Sequence, residues 1–246
     1  MSSLTSVQLR SYQDDGFLFP IQVLDEAEAR QVRADYEALE RSDKDSTSAR
    51  KWFEYPHAHH AWAYDLMAHP RLLDAVESIV GPDILLWDSK LFPKMPGSTD
   101  FVTWHQDRTY AGLDPLELVV TAWIAITDAG PENGSMSYLP GSHKLGQLKH
   151  LETHADGNLL SRGQSINDGL DTSKSIGVRL SAGQATFHSL SLVHSSGANM
   201  SPHKRVGIMA TYLSPRVACS RGDHGSTMLV RGRDTSGNFR LIERPS

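Results

Sequence analysis

The chain has a single cysteine, Cys219, so no internal disulfide can staple it. It has no run of eighteen apolar residues that would read as a membrane-spanning helix. Residues Met1 to Arg10 lack the charged-then-apolar order of a signal peptide. It also has no lysine- and arginine-rich block, and a formal charge of -5 gives no electrostatic footprint for nucleic acid. These absences set nucleic-acid and membrane partners aside and lead us to expect a cytoplasmic protein; the sequence leaves the oligomeric state open between monomer and homodimer. Cys219 has no evident base beside it and reads as inert packing.

What is present is ordinary for a globular chain: 39% hydrophobic and 22% charged residues over 246 positions, room for one sizeable core. The first third reads as helix-rich. Thr5 to Asp15 is followed by a short strand-like run, Gly16 to Phe19, ended by Pro20. Leu24 to Arg41 carries Ala27, Val32, Tyr36 and Leu39 at roughly helical spacing, and Ser42 to Arg50 reads as a mobile loop. Pro70 to Val80 places Leu72, Leu73, Val76 and Ile79 on one helical face, closed by Gly81-Pro82.

From there the texture changes. Short apolar runs (84–87, 101–104, 118–126, 135–139, 185–187 and 205–213) alternate with Gly, Pro, Asp and Asn turns. That spacing predicts antiparallel strands in a sandwich or barrel. We therefore expect one mainly β domain with flanking helices: a helix-rich part over about 1–82 and a β core over about 83–240. The polar stretch from His143 to Gly177 is long enough to be either a functional lid or a disordered loop.

With twelve histidines in the chain, no single one is informative. The grouping that matters is Trp104-His105-Gln106-Asp107, with Val193-His194 much later. Alternate residues of a strand share a side, so His105 and Asp107 can face one ion, and His194 from a neighbouring strand can complete one face of an octahedron. This is the two-histidine, one-carboxylate pattern of non-haem Fe(II) oxygenases, which leaves positions open for oxygen and a chelating co-substrate. Arg205, inside an apolar run after His194, can grip a distal carboxylate through its fork of donors, and Ser196 can add a hydroxyl.

At these residues the sequence resembles the phytanoyl-CoA dioxygenase family of Fe(II)/2-oxoglutarate oxygenases. The stretches that carry the resemblance run in order over residues 80–235. They are Asp88-Ser89-Lys90, Trp104-His105-Gln106-Asp107, Thr121-Ala122-Trp123, Asn133-Gly134, Leu139 to His143, His194 to Asn199 through Arg205, and Leu229 to Gly232. The resemblance implies a double-stranded β-helix, a cupin-like jelly roll. It implies iron ligands at His105, Asp107 and His194, and a 2-oxoglutarate pocket made by Arg205, Ser196 and Trp123, with Lys90 as a further contact. The implied co-substrates are 2-oxoglutarate and O2, yielding succinate and CO2. Relatives that halogenate replace the carboxylate with Gly or Ala, so Asp107 favours a hydroxylase over a halogenase.

For the substrate, Arg108 and Tyr110 beside the metal strand are candidates, although Arg108 equally suits a surface ion pair. Trp52 to Trp62, dense in aromatics and histidine, could wall the active site; Trp52 and Trp62 also suit plain packing between helix and sheet. His57, His59 and His60 lack a carboxylate or thiol partner at ligand spacing and read against a second metal. His143, His188 and His203 read as structural or ordinary polar residues. A polar, aromatic-lined mouth suits a small metabolite or natural-product intermediate. Two other functions use the same residues: a non-catalytic jelly-roll sensor or carrier, and a zinc-dependent hydrolase.

Overall fold

The computed structural model describes residues 3–42, 53–153, 156–160, 164–166, 169–222 and 225–246. The polar segment after Ser42 and Trp52 lie outside them. The helices are α1 (Ser6–Asp15), α2 (Glu26–Ser42), α3 (Pro56–His59), α4 (Ala61–Met67), α5 (Pro70–Val80) and α6 (Arg108–Ala111). The strands are β1 (Phe17–Gln22), β2 (Ile84–Lys94), β3 (Val102–His105), β4 (Leu113–Asp114), β5 (Val119–Ala125), β6 (Met136–Tyr138) and β7 (His150–Glu152). They continue as β8 (Gln164–Ile166), β9 (Ile176–Gly177), β10 (Gln184–His188), β11 (His194–Ser196), β12 (Arg205–Leu213), β13 (Ala218–Cys219) and β14 (Met228–Arg231).

Local chemistry accounts for the helix ends. Thr5 and Gln8 form a reciprocal capping box on α1, and Gly16 closes it in the left-handed region at φ 85°. A Cβ on Gly16 would also run into the His143 ring, so glycine is required there twice over. α5 buries Leu72, Leu73, Ala75 and Val76 as its periodicity predicts. In α2 the buried positions are Ala29 and Tyr36, whereas Ala27 is exposed. β1 does not stop at Pro20: it is an edge strand with an irregularity between Leu18 and Ile21, where a residue with no N–H to donate is tolerated.

Two antiparallel sheets face each other as a jelly roll. The larger has the order β1-β10-β5-β12-β2-β14 and the smaller β3-β11-β6-β9. Alternation sorts the larger sheet into two faces. Ala122, Ile124, Ile208, Ala210 and Tyr212 point outward and pack with Leu66, Leu72 and Val76 of the helices. Trp123, Met209, Thr211 and Arg205 point inward and line the cavity between the sheets. Among the described residues no helix is long and apolar enough to cross a membrane.

Candidate active site

The cavity between the sheets has a volume of about 510 Å³ and holds two distinct chemical ends. At one end, His105 closes β3 and His194 opens β11, directly opposite in register. Asp107 is not on the strand: its backbone is helical (φ -62°, ψ -32°) and it caps the short α6. The H-x-D spacing thus converges by turning the chain after the strand. Gln106, fully buried between the two ligands, holds that turn; its Nε2 donates to the carbonyls of Gly146 (2.9 Å) and Ser191 (2.7 Å), and its Oε1 accepts from Leu148 N–H (2.9 Å).

The ligand atoms of His105, Asp107 and His194 all lie within 4.8 Å of one another. His105 Nδ1 donates to the Thr103 carbonyl (2.9 Å) and His194 Nδ1 to the Leu192 carbonyl (3.0 Å). In the neutral rings this assigns the lone pair to Nε2. Those lone pairs face Asp107 Oδ1, at 3.2 Å from His105 and 3.7 Å from His194. Lone pairs against a carboxylate repel unless a cation sits between them, so the donor set fits a metal ion. Burial, then the neighbouring His105, pushes the His194 pKa down to about 3, which keeps the ring in its ligating form. Burial acts to raise Asp107, but positive charge placed at the His194 and His105 rings, with the His188 contact, outweighs this and holds it well below the carboxylate range. The anion is therefore favoured wherever a cation sits between these groups.

His188 was not expected here. It ends β10, is 1% exposed, and its Nε2 lies 3.4 Å from Asp107 Oδ2, the oxygen turned away from His105. Its Nδ1 accepts from Tyr138 Oη (3.2 Å), which also bonds Thr186 Oγ1 (3.1 Å). Eighty-one positions separate His188 from Asp107, so no local spacing signals the contact.

The other end is cationic. Arg205 and Lys94 are direct cross-strand partners on β12 and β2. Arg205 Nη1 donates to the Phe92 carbonyl (3.0 Å) and Nη2 to the Gly134 carbonyl (2.8 Å), while Nε is buried with no partner. Its guanidinium lies 5.4 Å from the Trp123 ring centroid. Lys94 Nζ donates to Ser196 Oγ (2.8 Å) and to the Gly197 carbonyl. Burial, then the Arg205 charge, pushes Lys94 down to about 7, and burial lowers Arg205 to about 10. Both side chains hydrogen-bond neutral oxygens rather than a carboxylate, so an anion is what this end lacks.

Sequence reasoning proposed Lys90 and missed Lys94. Lys90 lines the same cavity but its Nζ pairs with Glu54 (2.5 Å), four residues along the strand from Arg205's partner. Tyr110 lines the cavity, with its ring 6.4 Å from that of His105. Arg108 does not; it donates to Ser191 Oγ (3.3 Å) and borders a separate groove with Leu116 and Cys219. Trp62 packs against the core under the helices instead of walling the cavity. His57 is a core residue, bonded to Ser89 Oγ (2.5 Å) and the Ser226 carbonyl (2.8 Å), with burial pushing its pKa to about 4. Part of the polar 143–177 stretch reaches the site, since Leu159 and Leu160 line the cavity.

The remaining motif residues are braces. Ser142 Oγ accepts from Val193 N–H (2.9 Å) and so fixes the approach to His194. His143 is bonded to the Gln13 carbonyl (3.1 Å), and Asn133 Oδ1 accepts from Gly130 N–H (2.8 Å), which shapes the turn ahead of Gly134.

A jelly roll with a His-Asp-His cluster at one end of its cavity and a buried cation pair at the other defines a non-haem oxygenase class of protein. The profile of the Phytanoyl-CoA dioxygenase (PhyH) family matches residues 12–207, and the chain belongs to that family. A solved structure of the non-heme monooxygenase ThoJ superimposes with a TM-score of 0.85 at 34% identity, covering 96% of this chain and 87% of ThoJ. The alpha-ketoglutarate-dependent carbocyclase SnoK from nogalamycin biosynthesis gives 0.71 at 25%, covering 89% and 87%. A probable alpha-ketoglutarate-dependent hypophosphite dioxygenase of Stutzerimonas stutzeri is 27% identical over 84% of this chain and 73% of its own length. Family and relatives indicate a non-haem iron, 2-oxoglutarate-dependent dioxygenase. Neither a zinc hydrolase nor a carrier is represented among these three.

Proposed function

We propose that the protein hydroxylates an unactivated C–H bond of a small metabolite or natural-product intermediate, converting 2-oxoglutarate and O2 to succinate and CO2. His105, Asp107 and His194 would hold Fe(II), which supplies the centre at which the 2-oxo acid and O2 react. Lys94, Arg205 and Ser196 bind the distal carboxylate of 2-oxoglutarate, and Trp123 packs against its carbon chain. The observation that carries this reading is the cation pair Lys94–Arg205, buried in the wall of the cavity that also holds the His-Asp-His cluster. A dicarboxylate supplies the missing anion there and leaves its other end toward the cluster.

His188 orients Asp107, and Leu159, Leu160 and Leu190 supply apolar wall that limits water in the cavity. Tyr110 and Lys90 border the space left for substrate. The test is O2-dependent formation of succinate from 2-oxoglutarate by Fe(II)-loaded protein. Asp107→Ala should abolish it, and normal turnover by that variant would remove the metal assignment.

A further inference from the structure

Besides the His-Asp-His cluster and the cation pair, the cavity wall carries a carboxylate, Asp88, to which the reading above gives no role. β2 turns Asp88, Lys90, Phe92 and Lys94 inward by alternation, and Trp87 before them also reaches the cavity. Lys94 faces Arg205 across the strands, and Asp88 faces Thr211, with unbroken register between the two pairs. At about 3.3 Å per residue, Asp88 is therefore about 20 Å along the strand from the cation pair. A five-carbon dicarboxylate held at Lys94 and Arg205 does not reach it. Thr211 lines the same end, and Tyr55, Trp87 and Leu190 give it an aromatic and apolar wall.

Asp88 makes no ion pair among the described residues, and the one cation that attracts it, Lys90, is shared with Glu54. Its one hydrogen bond comes from the Ser89 backbone N–H. Lys90, the nearest lysine, is engaged by Glu54 at 2.5 Å. Arg221, which also lines the cavity, donates through Nη2 to the Thr109 carbonyl (2.9 Å). Burial, then the charge of Glu54, pushes the Asp88 pKa up to about 7; the Ser89 N–H and Lys90 act against the rise without cancelling it, and Asp107 adds to it. A carboxylate kept in a cavity wall without a partner destabilises the folded chain, and a ligand that brings the opposite charge relieves it.

We propose that Asp88, with Thr211 beside it, binds a protonated amine on the substrate, so that the substrate class is a cationic amine carried on an apolar or aromatic body. The proposal rests on the reading of this cavity as the active site. The ammonium group donates to the Asp88 carboxylate and to Thr211 Oγ1, and the apolar body lies against Trp87 and Leu190, beside the His-Asp-His cluster.

The test is calorimetric titration of Fe(II)- and 2-oxoglutarate-loaded protein under argon with two matched pairs, phenethylamine against phenethyl alcohol and tryptamine against tryptophol. Each amine should bind at least about tenfold tighter than its alcohol, the scale of a charge-assisted hydrogen bond. In Asp88→Asn the members of each pair should bind alike, with the Fe(II)–2-oxoglutarate charge-transfer band unchanged. Thr211→Val should weaken the amines a few-fold and leave the alcohols unaffected. Asp88→Leu serves as a second neutral variant, and removal of an unpaired carboxylate should leave both variants at least as stable as the parent. Equal affinity within the pairs, absence of binding by either member, or an amine preference that survives both substitutions would overturn the proposal. If the band never forms in the parent while the amine preference is present and lost in Asp88→Asn, the oxygenase reading fails and the cation site stands.

Discussion

His188 is the residue whose role is least visible in the chain and most readily tested. Its bond to Asp107 Oδ2 leaves Oδ1 toward His105 and His194, so the carboxylate has one orientation and not two. Removing such a partner of a metal ligand commonly weakens metal binding by about 10- to 100-fold. We expect His188→Leu to raise the dissociation constant for Fe(II) by that factor while its circular dichroism stays that of the parent. Lys94 makes a different prediction. Its pKa is depressed to about 7 without ligand, and an anion favours the charged form. Affinity for 2-oxoglutarate should therefore fall as pH rises above about 7, and Lys94→Met should weaken binding and flatten that profile, measured by titration of the chelate band. The facing Arg205 and the more distant Asp100 act on the same ammonium, in opposite directions.

At the scale of elements, most of what positions the site was legible in the sequence, and the exceptions have physical reasons. The strand over 205–213 and its arginine stood out because a charge inside an apolar run needs a ligand or a partner. Lys94 did not, because the apolar run was read only over 84–87, whereas the strand continues to Lys94. Only the register of β2 against β12, over more than a hundred positions, puts it beside Arg205. The H-x-D motif was found on a premise the fold modifies: the chain leaves β3 at His105, and Gln106 creates the turn that brings Asp107 back. Trp62 suited plain packing as well as a cavity wall because a helix-flanked tryptophan can serve either, and it packs against the core. One element-scale prediction concerns Gly207, which faces Phe92 and Ala125 in the sheet. A Cβ there would overlap the Trp123 ring. Gly207→Ala should displace that ring, cost about 1–3 kcal/mol of stability by denaturant titration, and weaken 2-oxoglutarate more than Fe(II).

For the whole molecule, the jelly roll holds its two charged ends on different strands, and the helices contribute the buried backing of the larger sheet. The cavity therefore loses electrostatic strain at two places when ligands arrive, and linkage turns that into thermal stability. Fe(II) and 2-oxoglutarate at about 100 times their dissociation constants should each contribute about 2.7 kcal/mol. The melting temperature should rise in two steps, and Arg205→Ala should keep the iron step and lose the other. The most direct measurement is an anaerobic titration of the metal-free protein with Fe(II) and then 2-oxoglutarate, followed by its weak visible charge-transfer band. The band should appear only with both present, and Arg205→Ala should lose it at limiting 2-oxoglutarate. No band from fully iron-loaded protein, or an undiminished band in Arg205→Ala, would contradict the assignment of this cavity as a 2-oxoglutarate site.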